Sequence, residues 1–137
     1  MLKQVMYPEN RQPNKGFYSP AIKIDLGNAR LIFVSGQQIM KNENDEASTD
    51  DIAEQTEYVF QALEKTLNTA GASLDDVVKA QIFLTDMNDF EVVSKIREKY
   101  FAKSKPVSTM VEVNGFAVKG AKIEIEVTAV IEKEPQN

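Results

Sequence analysis

Val77-Val78-Lys79-Ala80-Gln81-Ile82-Phe83-Leu84-Thr85 is the stretch on which the fold turns. Read by alternation, Val78, Ala80, Ile82 and Leu84 form a wholly apolar face, while Val77, Lys79, Gln81 and Phe83 form a mixed one. That is the period of a strand covered on one side. A helical pattern lies on either side of it. Upstream, within residues 51–70, Ile52, Val59, Phe60, Leu63, Leu67 and Ala70 make one stripe at helical spacing. Asp50 or Asp51 is placed to cap its start, and Gly71 to end it. Downstream, Asn88 or Asp89 opens a second helix that runs to Phe101. Phe90, Val93, Ile96 or Arg97, and Tyr100 share one of its sides, and Pro106 bars continuation.

Working outward, residues 21–26 and 30–35 read as strands joined by Gly27-Asn28, a hairpin. A further short strand is expected at residues 3–6. Two more are expected at 107–113 and 121–131, with turn signals at Asn114-Gly115 and Lys119-Gly120 between them. The polar stretch 41–50 joins a strand to a helix, and the polar tail 132–137 is expected to fray. The order is β-β-α-β-α-β-β. This is an α+β fold in a single domain spanning residues 1–137, its two helices covering one face of one sheet. The opposite strand faces, with Phe83, Met110 and Val130 among Lys79, Gln81, Ser108, Glu112 and Glu124, are too polar for a core. They suit a subunit interface, which predicts a homo-oligomer whose sheets face one another.

The composition narrows the chemistry. The 137 residues carry 16 Lys and Arg against 21 Asp and Glu, a net charge of -5, with no His and no Cys. Imidazole bases, thiol nucleophiles, disulfides and His or Cys metal sites are thereby excluded. The negative charge disfavours a nucleic-acid partner. No stretch approaches the ~20 apolar residues of a membrane span. Met1-Leu2-Lys3-Gln4 lacks the apolar core of a signal peptide, so a cytoplasmic protein is expected. The carboxylates Glu43, Asp45, Glu46, Asp50 and Asp51 lack calcium-loop spacing, and no metal site is expected. Only three arginines are present, Arg11, Arg30 and Arg97.

Six blocks resemble the Rid, or YjgF-like, family in the family's own order. Gly16-Phe17-Tyr18-Ser19-Pro20-Ala21 resembles its G-P-Y-S-x-A opening. Phe33-Val34-Ser35-Gly36-Gln37 resembles y-v-S-G-Q, and Ile52-Ala53-Glu54-Gln55-Thr56 resembles d-i-x-x-Q-T. The run from Leu67 through Ala70-Gly71 to Asp76-Val77-Val78-Lys79 resembles L-x-x-A-G-x-s-l-x-D-V-V-K. Phe83-Leu84-Thr85-Asp86-Met87-Asn88-Asp89-Phe90 resembles f-l-x-D-M-x-D-F, and Lys122-Ile123-Glu124-Ile125-Glu126 resembles v-E-I-E. The resemblance covers roughly residues 15 to 131.

The resemblance implies a chorismate-mutase-like fold. It also implies a homotrimer with sheets inside and a small-molecule ligand in clefts between subunits, with no cofactor. The implied activity is hydrolysis of enamines and imines to 2-oxo acids and ammonia. Tyr18 then matches a pocket Tyr, Ser35 and Gly36 a substrate-lining turn, and Glu124 the carboxylate that holds the attacking water. The sequence departs from the family at Pro106-Val107-Ser108-Thr109-Met110-Val111, where P-x-R-S-x-V is expected. Ser108 stands at the position of the Arg that forks onto a substrate carboxylate. Met110 stands where Cys or a small residue is frequent, and Ser94 where Asn is usual. A Ser hydroxyl does not replace a guanidinium fork. Either Arg97, three residues after Ser94 on the same helix face, supplies the cation, or it is a solvated surface residue. Simpler structural readings stand beside the others. Tyr18 serves as a packing aromatic, Ser35-Gly36 as a plain turn, Glu124 as a strand carboxylate paired with Lys122 or Lys79, and Ser108 and Met110 as interface filler. The competing functions are a non-catalytic metabolite-binding or regulatory trimer and, less in keeping with the charge, an endoribonuclease.

Overall fold

A computed structural model describes residues 2–8 and 18–133. Six strands form one sheet, β1 (Lys3–Met6), β2 (Ala21–Asp25), β3 (Ala29–Gln37), β4 (Val77–Leu84), β5 (Val107–Glu112) and β6 (Ile123–Glu132). The helices are α1 (Ile52–Thr69) and α2 (Phe90–Tyr100). The strand order is β1-β2-β3-β6-β4-β5, with every pair antiparallel except β4 and β5. The α+β order expected from the sequence, including the short strand at residues 3–6, is what the chain adopts. Gly16, Phe17 and residues 134–137 of the tail lie outside the described residues.

The topology explains why both helices share a face. β3 and β4 each run antiparallel to β6 between them, so they are parallel to each other, as β4 is to β5. The two helical crossovers therefore step the same way across the sheet, and crossovers of one hand put their helices on one side. The core lies between that side and the helices. Ile32 and Val34 of β3, Ile82 and Leu84 of β4, and Ile123 and Ile125 of β6 meet Val59, Phe60, Leu63 and Leu67 of α1. Val93 is the fully buried residue of α2, whose Tyr100 stacks on Phe60 with ring centroids 4.6 Å apart.

The local signals work as the sequence indicates, with three corrections. Asp51 caps α1 by accepting from Glu54 N, and Gly71 takes φ +84° just past its end. At α2, however, the side-chain cap is Asp86, which accepts from Asn88 N and starts a 3₁₀ turn over Met87–Asp89. Asp89 makes no side-chain cap bond. In β4 the register against β6 shifts between Val77 and Lys79, so Val78 is an extra residue at a bulge. Val77 consequently turns into the core and Val78 out of it, the reverse of strict alternation.

The third correction concerns β5. Ser108 pairs with Ala80 and Met110 with Ile82, so Ser108, Met110 and Glu112 share the helix side of the sheet. Val107, Thr109 and Val111 lie with Lys79, Gln81 and Phe83 on the open side. The more apolar set of β5 was expected to face the helices. As the edge strand it lies at the rim of their cover, and its sorting follows pairing with β4 instead of hydrophobicity.

One buried polar residue ties the layers. Gln55 of α1 is fully buried, donates to Thr49 O (2.8 Å) and Gly120 O (2.9 Å), and accepts from Lys122 N (2.8 Å). The polar segment 41–50 is pinned to the same place by Ala47 N donating to Lys119 O.

Candidate functional site

The sequence-derived site residues fall into two groups on opposite sides of the sheet. The first is built at the end of β3. Ser35 N donates to Pro20 O, and Ser35 Oγ donates to Ser19 O at 2.6 Å, fastening the approach to β2 onto β3. Immediately after, the register of β3 against β6 slips between Val34 and Gln37, so Ser35-Gly36 forms an irregular bend in the strand. Tyr18 lies next to Ser19 with 59% of its surface exposed, so within this chain its ring is not core packing.

Glu124 points to the open side from β6, opposite Phe83. Its carboxyl lies directly on Gly36, where an added Cβ would meet Glu124 Cδ at 2.6 Å. Glycine at 36 is what lets the Glu124 carboxyl come this close. Glu124 Oε1 accepts from Gln38 Nε2 at 2.8 Å. Among the described residues Glu124 makes no ion pair, with Lys122, Lys79 or any other cation. Gln38 Oε1 is buried and has no partner among those residues. Gln38 was missed by sequence reasoning, although it directly follows the Ser-Gly-Gln block. A carboxylate fixed at one oxygen, beside an amide acceptor and backbone, can position water. A hollow of about 290 Å³ on the open side is bordered by Ser19, Phe33, Ser35, Lys79, Gln81 and Glu126.

The second group lies at the rim of α2. Ser94 and Arg97 share a helix face, and Ser108 comes from β5. Arg97 Nη1 donates to Ser108 Oγ (3.3 Å) and Nη2 to Ser94 Oγ (3.4 Å). Arg97 is half-buried and folded back onto β5. Met110, next on that face, packs at the margin of the core. Glu124 and Ser108 project from opposite sides of the sheet, so one chain does not bring the two groups together. Among the described residues no cluster of three metal-ligating side chains occurs, and no helix is long and apolar enough to cross a membrane.

One six-stranded sheet with two helices on a single side and a glycine-seated carboxylate define the class. The chain belongs to the Rid/YjgF family, whose family model, described as Endoribonuclease L-PSP, matches residues 9–131. A RutC family protein of Pyrococcus abyssi is 41% identical over 129 residues, covering 94% of this chain and 98% of that protein. The 3-aminoacrylate deaminase RutC of Acinetobacter baylyi is 34% identical over 125 residues, covering 91% and 95%. A solved structure of a conserved Rid-family protein from Yersinia pestis superposes with TM-score 0.80 at 32% identity, covering 94% and 99%.

Proposed function

We propose that the protein is an enamine/imine hydrolase working in clefts between the subunits of a homotrimer. Glu124 positions the attacking water, and Tyr18, Ser35 and Gly36 line the cleft. Ser94, Ser108 and Met110 come from the neighbouring subunit. The observation that carries the reading is the seating of Glu124 on Gly36 with Gln38 holding one oxygen. The deaminase name of the Acinetobacter relative supports it. The two half-sites on opposite sheet sides support an inter-subunit cleft, because only a second copy can bring them face to face.

An imine carbon is already electrophilic once its nitrogen is protonated, so placing water against it supplies much of the rate. An enamine first takes a proton at carbon to become the same iminium. Water adds to that carbon while Glu124 accepts its proton. Glu124 returns that proton to the amine nitrogen, the C–N bond breaks as the carbinolamine hydroxyl gives up its own proton, and a carbonyl and ammonia are left. The chemistry needs neither imidazole nor thiol, in keeping with a chain that has no His and no Cys.

The test is ammonia release from freshly generated 3-aminoacrylate and short 2-imino acids, above the uncatalysed rate. Glu124→Gln is expected to lower kcat roughly 10²–10⁴-fold, the usual contribution of a positioned acid–base group. Absence of turnover across a broad imine panel overturns the hydrolase reading in favour of a binding trimer.

A further inference from the structure

We propose that Arg97 is the carboxylate-binding and specificity-determining residue of the cleft, its guanidinium delivered from α2 instead of β5. The inference rests on the hydrolase reading and deepens it.

The geometry around Arg97 is that of a prepared anion site. A guanidinium has five N–H donors. Two are directed at Ser94 Oγ and Ser108 Oγ, at 3.4 and 3.3 Å, contacts long enough to orient the fork without saturating it. Each hydroxyl that accepts from Arg97 keeps its own O–H free to donate. Three side chains from two elements thus converge donors at the same rim.

Charge points the same way. Among the described residues Arg97 makes no ion pair, and its bonded partners are neutral. A half-buried cation that no carboxylate pairs suits a ligand that brings one, and Glu98, the acidic residue on the groove, is not bonded to it. The groove beside it, about 350 Å³, is lined by Arg97, Glu98, Phe101, Lys105, Pro106 and Ser108. Lys105 is held at φ +44°, left-handed backbone that a lysine adopts at a cost, just before Pro106. That places a second cation on the groove, with Pro106 and the edge of the otherwise buried Phe101 as its apolar border. The ligand class is a short organic acid: its carboxylate on Arg97 and the two hydroxyls, its body toward Pro106.

The experiment compares a 2-imino acid, generated in situ by an amino-acid oxidase, with a matching imine that lacks a carboxylate. Pyruvate, a stable 2-oxo acid, is titrated calorimetrically in parallel. In Arg97→Ala the preference for the acid over the neutral imine in kcat/KM is expected to fall about ten- to a hundred-fold, mostly through KM, with pyruvate affinity falling alike. Adding Ser108→Arg to that variant is expected to restore most of both by returning a guanidinium from the strand. An unchanged acid preference, or equal loss on both imines, overturns the proposal while leaving the hydrolase reading intact. If wild type turns over no imine, the hydrolase reading fails. Arg97 is then judged by pyruvate alone: weaker binding in Arg97→Ala supports it, and equal or absent binding overturns it.

Discussion

At residue scale, Gly36 and Gln55 show how a single position is fixed by something far away in sequence. Gly36 is glycine because Glu124, 88 positions later, lies against it; an alanine Cβ would sit 2.6 Å from the carboxyl carbon. The obstacle is the end of a flexible side chain, so the fold can yield by swinging Glu124 off Gln38. Gly36→Ala is therefore expected to keep its unfolding midpoint nearly unchanged while losing on the order of a hundredfold in turnover, as a displacement of about 1 Å does in a positioned site. Urea unfolding and imine hydrolysis on one sample check it. Gln55 behaves in the opposite way. Its amide satisfies two carbonyls and one N–H that join α1, segment 41–50 and β6. Gln55→Ala orphans all three and is expected to cost about 2–4 kcal/mol, read as a lower urea midpoint at unchanged slope. Both residues stood out in the sequence as members of a family-like block. Neither reason was legible there, since each depends on a partner brought by tertiary pairing.

At element scale, legibility tracks how much of an element's pattern is set by its own burial. α1 is buried along one stripe against the sheet, so Val59, Phe60, Leu63 and Leu67 declare it outright. β6 is central, and its inward set Ile123, Ile125, Val127 and Ala129 is equally plain. β5 is an edge strand, where either face reaches solvent, and hydrophobicity there no longer reports which side meets the helices. The same error carried Ser108 and Met110 to the wrong side of the sheet, while their shared face was read correctly. The α2 rim was legible only as far as helical spacing goes: Ser94 and Arg97 were paired, but the contact to Ser108 needed the fold.

The two helices are joined by a charged clamp whose pH dependence follows from its members. Glu57 of α1 accepts from Lys99 and from the Tyr100 hydroxyl of α2. The hydrogen bond from Lys99, and then that from Tyr100, holds the Glu57 carboxyl below its ordinary value against some desolvation. A carboxyl lowered on folding contributes stability that is present in full above its unfolded value, near pH 4.3, and is lost as pH falls through the lower folded value. Glu57→Gln is expected to be less stable than wild type at neutral pH, with the two curves converging in acid. Urea midpoints from roughly pH 7 down to pH 2 test this, and a gap that persists at the acid end would show that packing, not charge, holds the helices.

At the scale of the whole molecule, the open side of the sheet determines what a single chain lacks. Phe33 is 44% exposed, Val111 41% and Val107 70%, and Phe83 and Val130 lie on that same side. Among these stand Lys79, Gln81, Glu124 and Glu126. An apolar patch threaded with charges is how a subunit interface with wet pockets is composed. The proposed chemistry needs Glu124 from one sheet side and Ser94, Arg97 and Ser108 from the other, so activity and assembly are expected to fail together. Wild type should run at about three times the 15.4 kDa chain mass in light scattering. Phe33→Lys places a charge at the centre of the open side without entering the core, because Ile32 and Val34, its neighbours, are the inward pair. It is expected to yield a folded monomer by circular dichroism with imine turnover at background. A Phe33→Lys monomer that hydrolyses imines at the wild-type rate would place the whole site in one chain, which the opposite projections of Glu124 and Ser108 do not allow.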